Sequence, residues 1–99
     1  MRITPAEAQT IKDTARAVLG ERAGVWLFGS RADDAKKGGD IDLYVELPPE
    51  DYAYPKQVQF WCALIDRLGD QKIDIVINKL GLSPALPIHT FAKRQGIKL

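Results

Sequence analysis

The sequence predicts an α+β domain: a small mixed β-sheet with helices packed mainly on one face, in the order α-β-β-α-β-α. Three observations carry this. Segments of helical period occupy both ends and the middle of the chain, three short apolar segments of strand character lie between them, and 99 residues suffice for one core but not two. Residues 1–99 are therefore expected to form a single domain. The composition, 45% hydrophobic and 27% charged, is that of an ordinary globular protein.

The first helix is written most plainly. Thr4-Pro5-Ala6-Glu7 has the pattern of a capping box, with threonine at the cap, proline at the first helical position and glutamate at the third. Ile11, Ala15, Val18 and Leu19 follow at helical spacing, and Gly20 can end the element. "GVWLFGS" comes next. Val25 and Leu27 face one side of a strand, Trp26 and Phe28 the other, so this strand belongs inside the sheet.

"DIDLYVEL" divides its residues differently. Ile41, Leu43, Val45 and Leu47 form a core side, and Asp40, Asp42, Tyr44 and Glu46 an open side. Pro48-Pro49 stops the strand, and "EDYAYP" reads as a loop. From about Lys56 to Leu68 the period is helical again. Val58, Trp61, Cys62, Ile65 and Leu68, extended by Phe60 and Leu64, cover an apolar arc of roughly 200°. That is wider than one sheet contact needs. It fits either a helix wedged between the sheet and the terminal helix or a surface for a partner or a second copy.

"KIDIVIN" is the third strand, with Ile73, Ile75 and Ile77 on one face and Asp74 and Val76 on the other. A last helix spans about Pro87 to Gln95, with Ile88, Phe91 and Ala92 as its apolar stripe, His89 on its polar side, and Lys93 and Arg94 at its negative end. Gly96-Ile97 reads as a glycine C-cap with its hydrophobic contact.

Charge and composition exclude several classes. A net charge of +1 gives no bulk electrostatic case for nucleic-acid or membrane-surface binding. The single cysteine, Cys62, rules out an internal disulfide, and metal-type Cys/His spacing is absent. "MRITPAEAQT" lacks the apolar core of a signal peptide, and no run reaches membrane-spanning length, so a cytoplasmic location is expected.

The open face concentrates the chemistry. Asp40 and Asp42 are two positions apart on one strand, so both side chains point the same way, roughly 6–7 Å apart by strand rise. Carboxylates so placed repel one another unless solvated or neutralised, and magnesium suits them because it takes hard oxygen ligands and shares them with phosphates. Asp74 becomes a third carboxylate if its strand is a neighbour. Gly29-Ser30 ends a buried strand where a backbone can approach a phosphate closely. Each feature alone also has a plainer reading: a solubilising aspartate edge, an ordinary turn, solvated loop charges at Arg31, Lys36 and Lys37.

Taken together, "LFGSRA", the nine residues from Arg31 to Gly39, "DIDLYVE" and "KIDIVI" resemble the minimal nucleotidyltransferase domain of the DNA polymerase beta superfamily. The resemblance implies that Gly29, Ser30 and Arg31 meet nucleotide phosphates and that Asp40, Asp42 and Asp74 hold magnesium, with Asp74 as general base. The implied reaction moves a nucleoside monophosphate from a nucleoside triphosphate, with ATP the expected donor, to a hydroxyl acceptor. Asp33 and Asp34 depart from the arginines common in that loop, and no counterpart appears of the second domain with which larger relatives bind nucleobase and acceptor. Free-standing relatives are often antitoxins beside a small helical HEPN-type toxin, some acting by adenylylating its tyrosine. The alternative implied by the same resemblance is a non-catalytic antitoxin that neutralises such a partner by contact. Tyr44 shares the aspartate face and can shape a pocket; Tyr52 and Tyr54 lie in a loop and can meet a base or a partner.

Overall fold

The computed structural model describes residues 3–29, 40–69, 71–81 and 86–99. Helix α1, Pro5–Leu19, starts on the expected capping box. Thr4 Oγ1 accepts the Glu7 amide at 3.0 Å and Glu7 Oε1 accepts the Thr4 amide at 2.9 Å, which satisfies two of the donors a helix start leaves unpaired. Its inner face carries Ile11, Ala15 and Leu19, all buried. Thr14, also buried, donates to the Thr10 carbonyl and accepts from the Arg67 guanidinium at 2.7 Å.

Strand β1, Gly24–Phe28, pairs antiparallel with β2, Ile41–Leu47, in a register that sets Leu27 opposite Leu43 and Phe28 opposite Asp42. A 3₁₀ turn at Pro49–Asp51 then leads into α2, Tyr54–Leu68, where a plain loop is expected. Helix α2 is the crossover that allows β3, Ile73–Lys79, to run parallel to β2. Helix α3, Pro87–Gln95, is followed by a two-residue strand β4, Ile97–Lys98, antiparallel to β1. The sheet order is β3-β2-β1-β4, so β1 is interior as its two apolar faces require. Among the described residues no helix is long and apolar enough to cross a membrane.

The main core lies under α1 and α2. Leu27, Ile41, Leu43, Val45 and Leu47 from the sheet meet Ile11 and Leu19 of α1 and Phe60 and Leu64 of α2. This sets α2 differently from its expected arc. The buried line runs through Phe60 and Leu64, while Val58, Trp61 and Cys62 are exposed. The helix is not wedged against α3, which lies on the other face of the sheet. It packs beside α1 and overhangs the edge strand β3, where the Trp61 indole donates to the Ile73 carbonyl at 3.0 Å. Beyond that edge no described strand remains to cover the rest of the arc.

Two helices thus share one face, and α3 crosses part of the other. Trp26, Phe28 and Tyr44 form a small second core with Ala92. Trp26 and Tyr44, opposite in the register, pack with ring centroids 5.4 Å apart. The expected stripe of α3 is corrected here. His89 is 9% exposed and Ala92 fully buried, whereas Ile88 and Phe91 are 42% and 53% exposed. The reason is the surface α3 meets. The His89 ring lies tilted 5.8 Å from the Tyr44 ring and its Nδ1 accepts the Leu86 amide at 3.2 Å, so a buried imidazole is packed on an aromatic ring and hydrogen-bonded.

Gly96 is not the left-handed cap expected of it. Its φ of −84° is extended and feeds β4 directly. Glycine is required for space: a Cβ would collide with the Ala92 carbonyl oxygen and stand 3.0 Å from the Leu27 carbonyl oxygen. Gly96→Ala is expected to destabilise the fold by about 1–3 kcal/mol through overpacking. His89→Ala should cost about 1 kcal/mol and Ile88→Ala less than about 0.5 kcal/mol, all read by urea denaturation. Equal losses at His89 and Ile88 would contradict this packing of α3.

Candidate active site

One end of the sheet collects the C-terminal end of β1 and the N-terminal ends of β2 and β3. Strand direction alone produces this, since β2 runs against β1 and along β3. The register then decides which side chains meet. Asp42 lies beside Phe28, the last residue of β1, on one flank and beside Asp74 of β3 on the other. Period-two alternation turns both carboxylates to the face away from the main core.

Gly29 follows β1 with φ +74°, a conformation side-chain-bearing residues rarely adopt. Its backbone rests against Asp42, so closely that a Cβ would collide with the Asp42 Oδ2. The expected glycine and the second aspartate of Asp-x-Asp therefore form one structural unit. Ser30 and Arg31, expected beside Gly29, and the loop residues Asp33, Asp34, Lys36 and Lys37 lie outside the described residues.

The electrostatics follow from this crowding. Burial pushes the Asp42 carboxyl above its ordinary value, the charges of Asp74 and then Asp40 push it further, and Lys72 pulls it back; a hydrogen bond with Asp74 also favours the protonated form. Asp40 stands just before β2 with its side chain half exposed and Lys72 Nζ 3.6 Å from its Oδ2. Among the described residues no three His, Cys, Asp or Glu side chains gather as a ready metal cage. The structure brings Asp42, Asp74 and Gly29 together and leaves Asp40 leaning to Lys72. Two hard carboxylates side by side, with the charge of Asp74 adding to the raised proton affinity of Asp42, fit a divalent cation, which would relieve that repulsion.

The family model of a nucleotidyltransferase domain matches residues 9–97. The chain belongs to this family. No curated protein matches it. The match runs from within α1 to the start of β4, and so includes both carboxylate strands and Gly29 ahead of them.

This nucleotidyltransferase domain carries a second feature on the same face, which the sequence shows only in outline. Further along β2 and β3, a cleft of about 480 Å³ opens between the sheet and α3. Tyr44 is buried at its side and donates to Glu46 at 2.7 Å; Asn78 donates to the Tyr44 oxygen at 3.0 Å, and Lys93 of α3 meets Glu46 at 3.1 Å. Burial, with the Glu46 bond adding to it, pushes the Tyr44 phenol up to about 12, although the Asn78 bond opposes this. His89, expected on an exposed helix face, lines the same cleft. Alternation placed Tyr44 and Glu46 beside the aspartates, but nothing local announces Asn78, His89 or Lys72 as their neighbours.

The Asp42 shift has a sign that can be tested. A carboxyl whose folded pKa lies above its unfolded value binds its proton more tightly when folded, so stability falls as pH rises through that window and stays lower above it. Asp42→Asn should therefore melt above wild type at pH 7, by about 0.5 kcal/mol or less at this partly solvated site. The gap should close as pH falls toward the ordinary carboxyl value of 3.8. Thermal melts across pH read this directly, and a variant less stable than wild type at pH 7 would contradict it.

Proposed function

We propose that this domain is a magnesium-dependent nucleotidyltransferase that moves a nucleoside monophosphate, AMP from ATP, onto a hydroxyl acceptor. The single observation that carries the reading is the parallel register of β2 and β3, which sets Asp42 beside Asp74 while Gly29 packs its backbone on Asp42. Asp40, Asp42 and Asp74 would hold the metal, and Gly29, Ser30 and Arg31 the triphosphate. Magnesium, when bound, supplies charge neutralisation to the phosphate oxygens and the leaving group.

The chain's own residues orient and deprotonate. Asp74, exposed on the edge strand, is open to an incoming hydroxyl and takes its proton. The freed oxygen bonds to the α-phosphorus as the bond to the bridging oxygen of the β-phosphate breaks, and pyrophosphate leaves with that electron pair. Catalysis of this kind is mostly positioning and electrostatics, which a rigid two-strand platform supplies.

A second observation bears on the acceptor. Tyr54, Val58 and Trp61 are exposed along α2 beside Ile73, Asp74 and Ile75, and together they line an apolar groove that ends at a site carboxylate. We assign this groove to a helical protein partner of HEPN type, whose tyrosine would be the acceptor. The same groove supports the alternative function, neutralisation of that partner by contact without transfer.

The two readings separate on one substitution. With the purified partner, magnesium and labelled ATP, wild type should label the partner, and Asp42→Asn should lower the rate at least about 100-fold. Undiminished neutralisation by Asp42→Asn with no labelling by wild type would establish the contact reading instead. Without any partner, ATP with magnesium should raise the melting midpoint of wild type and not of Asp42→Asn.

A further inference from the structure

We infer that the cleft between α3 and the C-terminal halves of β2 and β3 is the nucleoside subsite of the donor triphosphate, and that this small domain recognises base and ribose with its own residues. The inference rests on the proposed nucleotidyl transfer and adds to it the part of the substrate that the carboxylates do not touch.

Asp42, Tyr44 and Glu46 share one face of β2, and Asp74, Val76 and Asn78 the same face of β3, paired Asp42 to Asp74, Tyr44 to Val76 and Glu46 to Asn78. The cleft floor at Glu46 and Asn78 is four residues from the carboxylate pair, roughly 13 Å by strand rise. A ribose and a planar base extending from an α-phosphate at the carboxylates run toward that floor. Helix α3 supplies the opposite wall through His89, Thr90 and Lys93.

Hydrogen bonding within the walls fixes what they offer a ligand. A backbone amide can only donate, so His89 Nδ1, which takes the Leu86 N–H, is the unprotonated nitrogen, and the neutral ring carries its proton on Nε2. The Tyr44 hydroxyl has one proton and spends it on the Glu46 carboxylate, so it must accept from Asn78, which orients that amide. Among the described residues neither His89 Nε2–H nor Asn78 Oδ1 has a protein partner. One is a donor on a side chain nine-tenths buried, the other an acceptor across the cleft. Unpaired polar groups in a recess are costly unless a ligand or solvent meets them. A nucleobase edge, which presents donors and acceptors together on a flat ring, meets both.

The test compares magnesium tripolyphosphate with the four common ribonucleoside triphosphates by calorimetric titration. Wild type should bind the best nucleotide at least about tenfold tighter than tripolyphosphate. Thr90→Trp adds bulk at an exposed α3 position lining the cleft; it should cancel that advantage and leave tripolyphosphate binding unchanged. His89 is the single histidine of the chain, so its ring resonances are unambiguous, and the nucleoside of the preferred triphosphate should shift them. Tripolyphosphate bound as tightly as every nucleotide, or an unchanged nucleotide advantage in a folded Thr90→Trp, overturns the subsite and leaves the transfer reading intact. Failure of wild type to bind either polyphosphate or nucleotide overturns both.

Discussion

Everything at the candidate site depends on β3 lying parallel beside β2 in one particular register. The two strands carry their aspartates on the same face, but only the pairing of Ile41 with Ile73 brings Asp42 level with Asp74. A slip of one residue would turn Asp74 into the main core and leave an unpaired charge among isoleucines. The apolar alternation on the other face prevents this, since Ile41, Leu43, Val45 and Ile73 are all buried under the two helices. Core packing thus sets the spacing of the carboxylates, and the repulsion between them is held in place by burial elsewhere.

The second constraint is the division of labour between the two faces of the sheet. Helices α1 and α2 supply a continuous apolar layer, which frees the opposite face from having to be one. Among the described residues that face is covered over Trp26, Phe28 and Tyr44, where α3 lies, while Asp74 is exposed. The two-residue strand β4 fixes the end of α3 to β1, and the close approach at Gly96 sets how tightly helix and sheet meet. The seating of α3 on the sheet therefore depends on a backbone contact at its C-terminal end.

How much of this was legible depends on whether the determining forces are local. Helix α1 was readable to the residue because its capping box acts within one turn. The common face of Asp42 and Asp74 was readable because alternation assigns a face from sequence alone. The adjacency of Asp42 and Asp74 was not, because strand order is a property of the whole sheet. Nor was the lean of Asp40 toward Lys72, which depends on how two strand entries converge. The error at α3 has a similar source. In nine residues, Ile88 and Phe91 look like the buried side, yet an aromatic sheet surface accepts a hydrogen-bonded histidine packed at a tilt and a small alanine better. The exposed half of α2 follows from an edge strand, and a helix cannot signal by its own period where the sheet beneath it ends.

Tyr44 has a further meaning in this setting. It carries the hydroxyl nearest along β2 to Asp42 on the carboxylate face, and a domain with the proposed activity toward hydroxyls must avoid modifying itself. The Tyr44 oxygen is buried, its proton is engaged by Glu46, its lone pair receives Asn78, and its ionisation is pushed up to about 12. It is thereby withdrawn as a nucleophile at neutral pH. The network that shapes the cleft thus also shields this one hydroxyl from the proposed transfer.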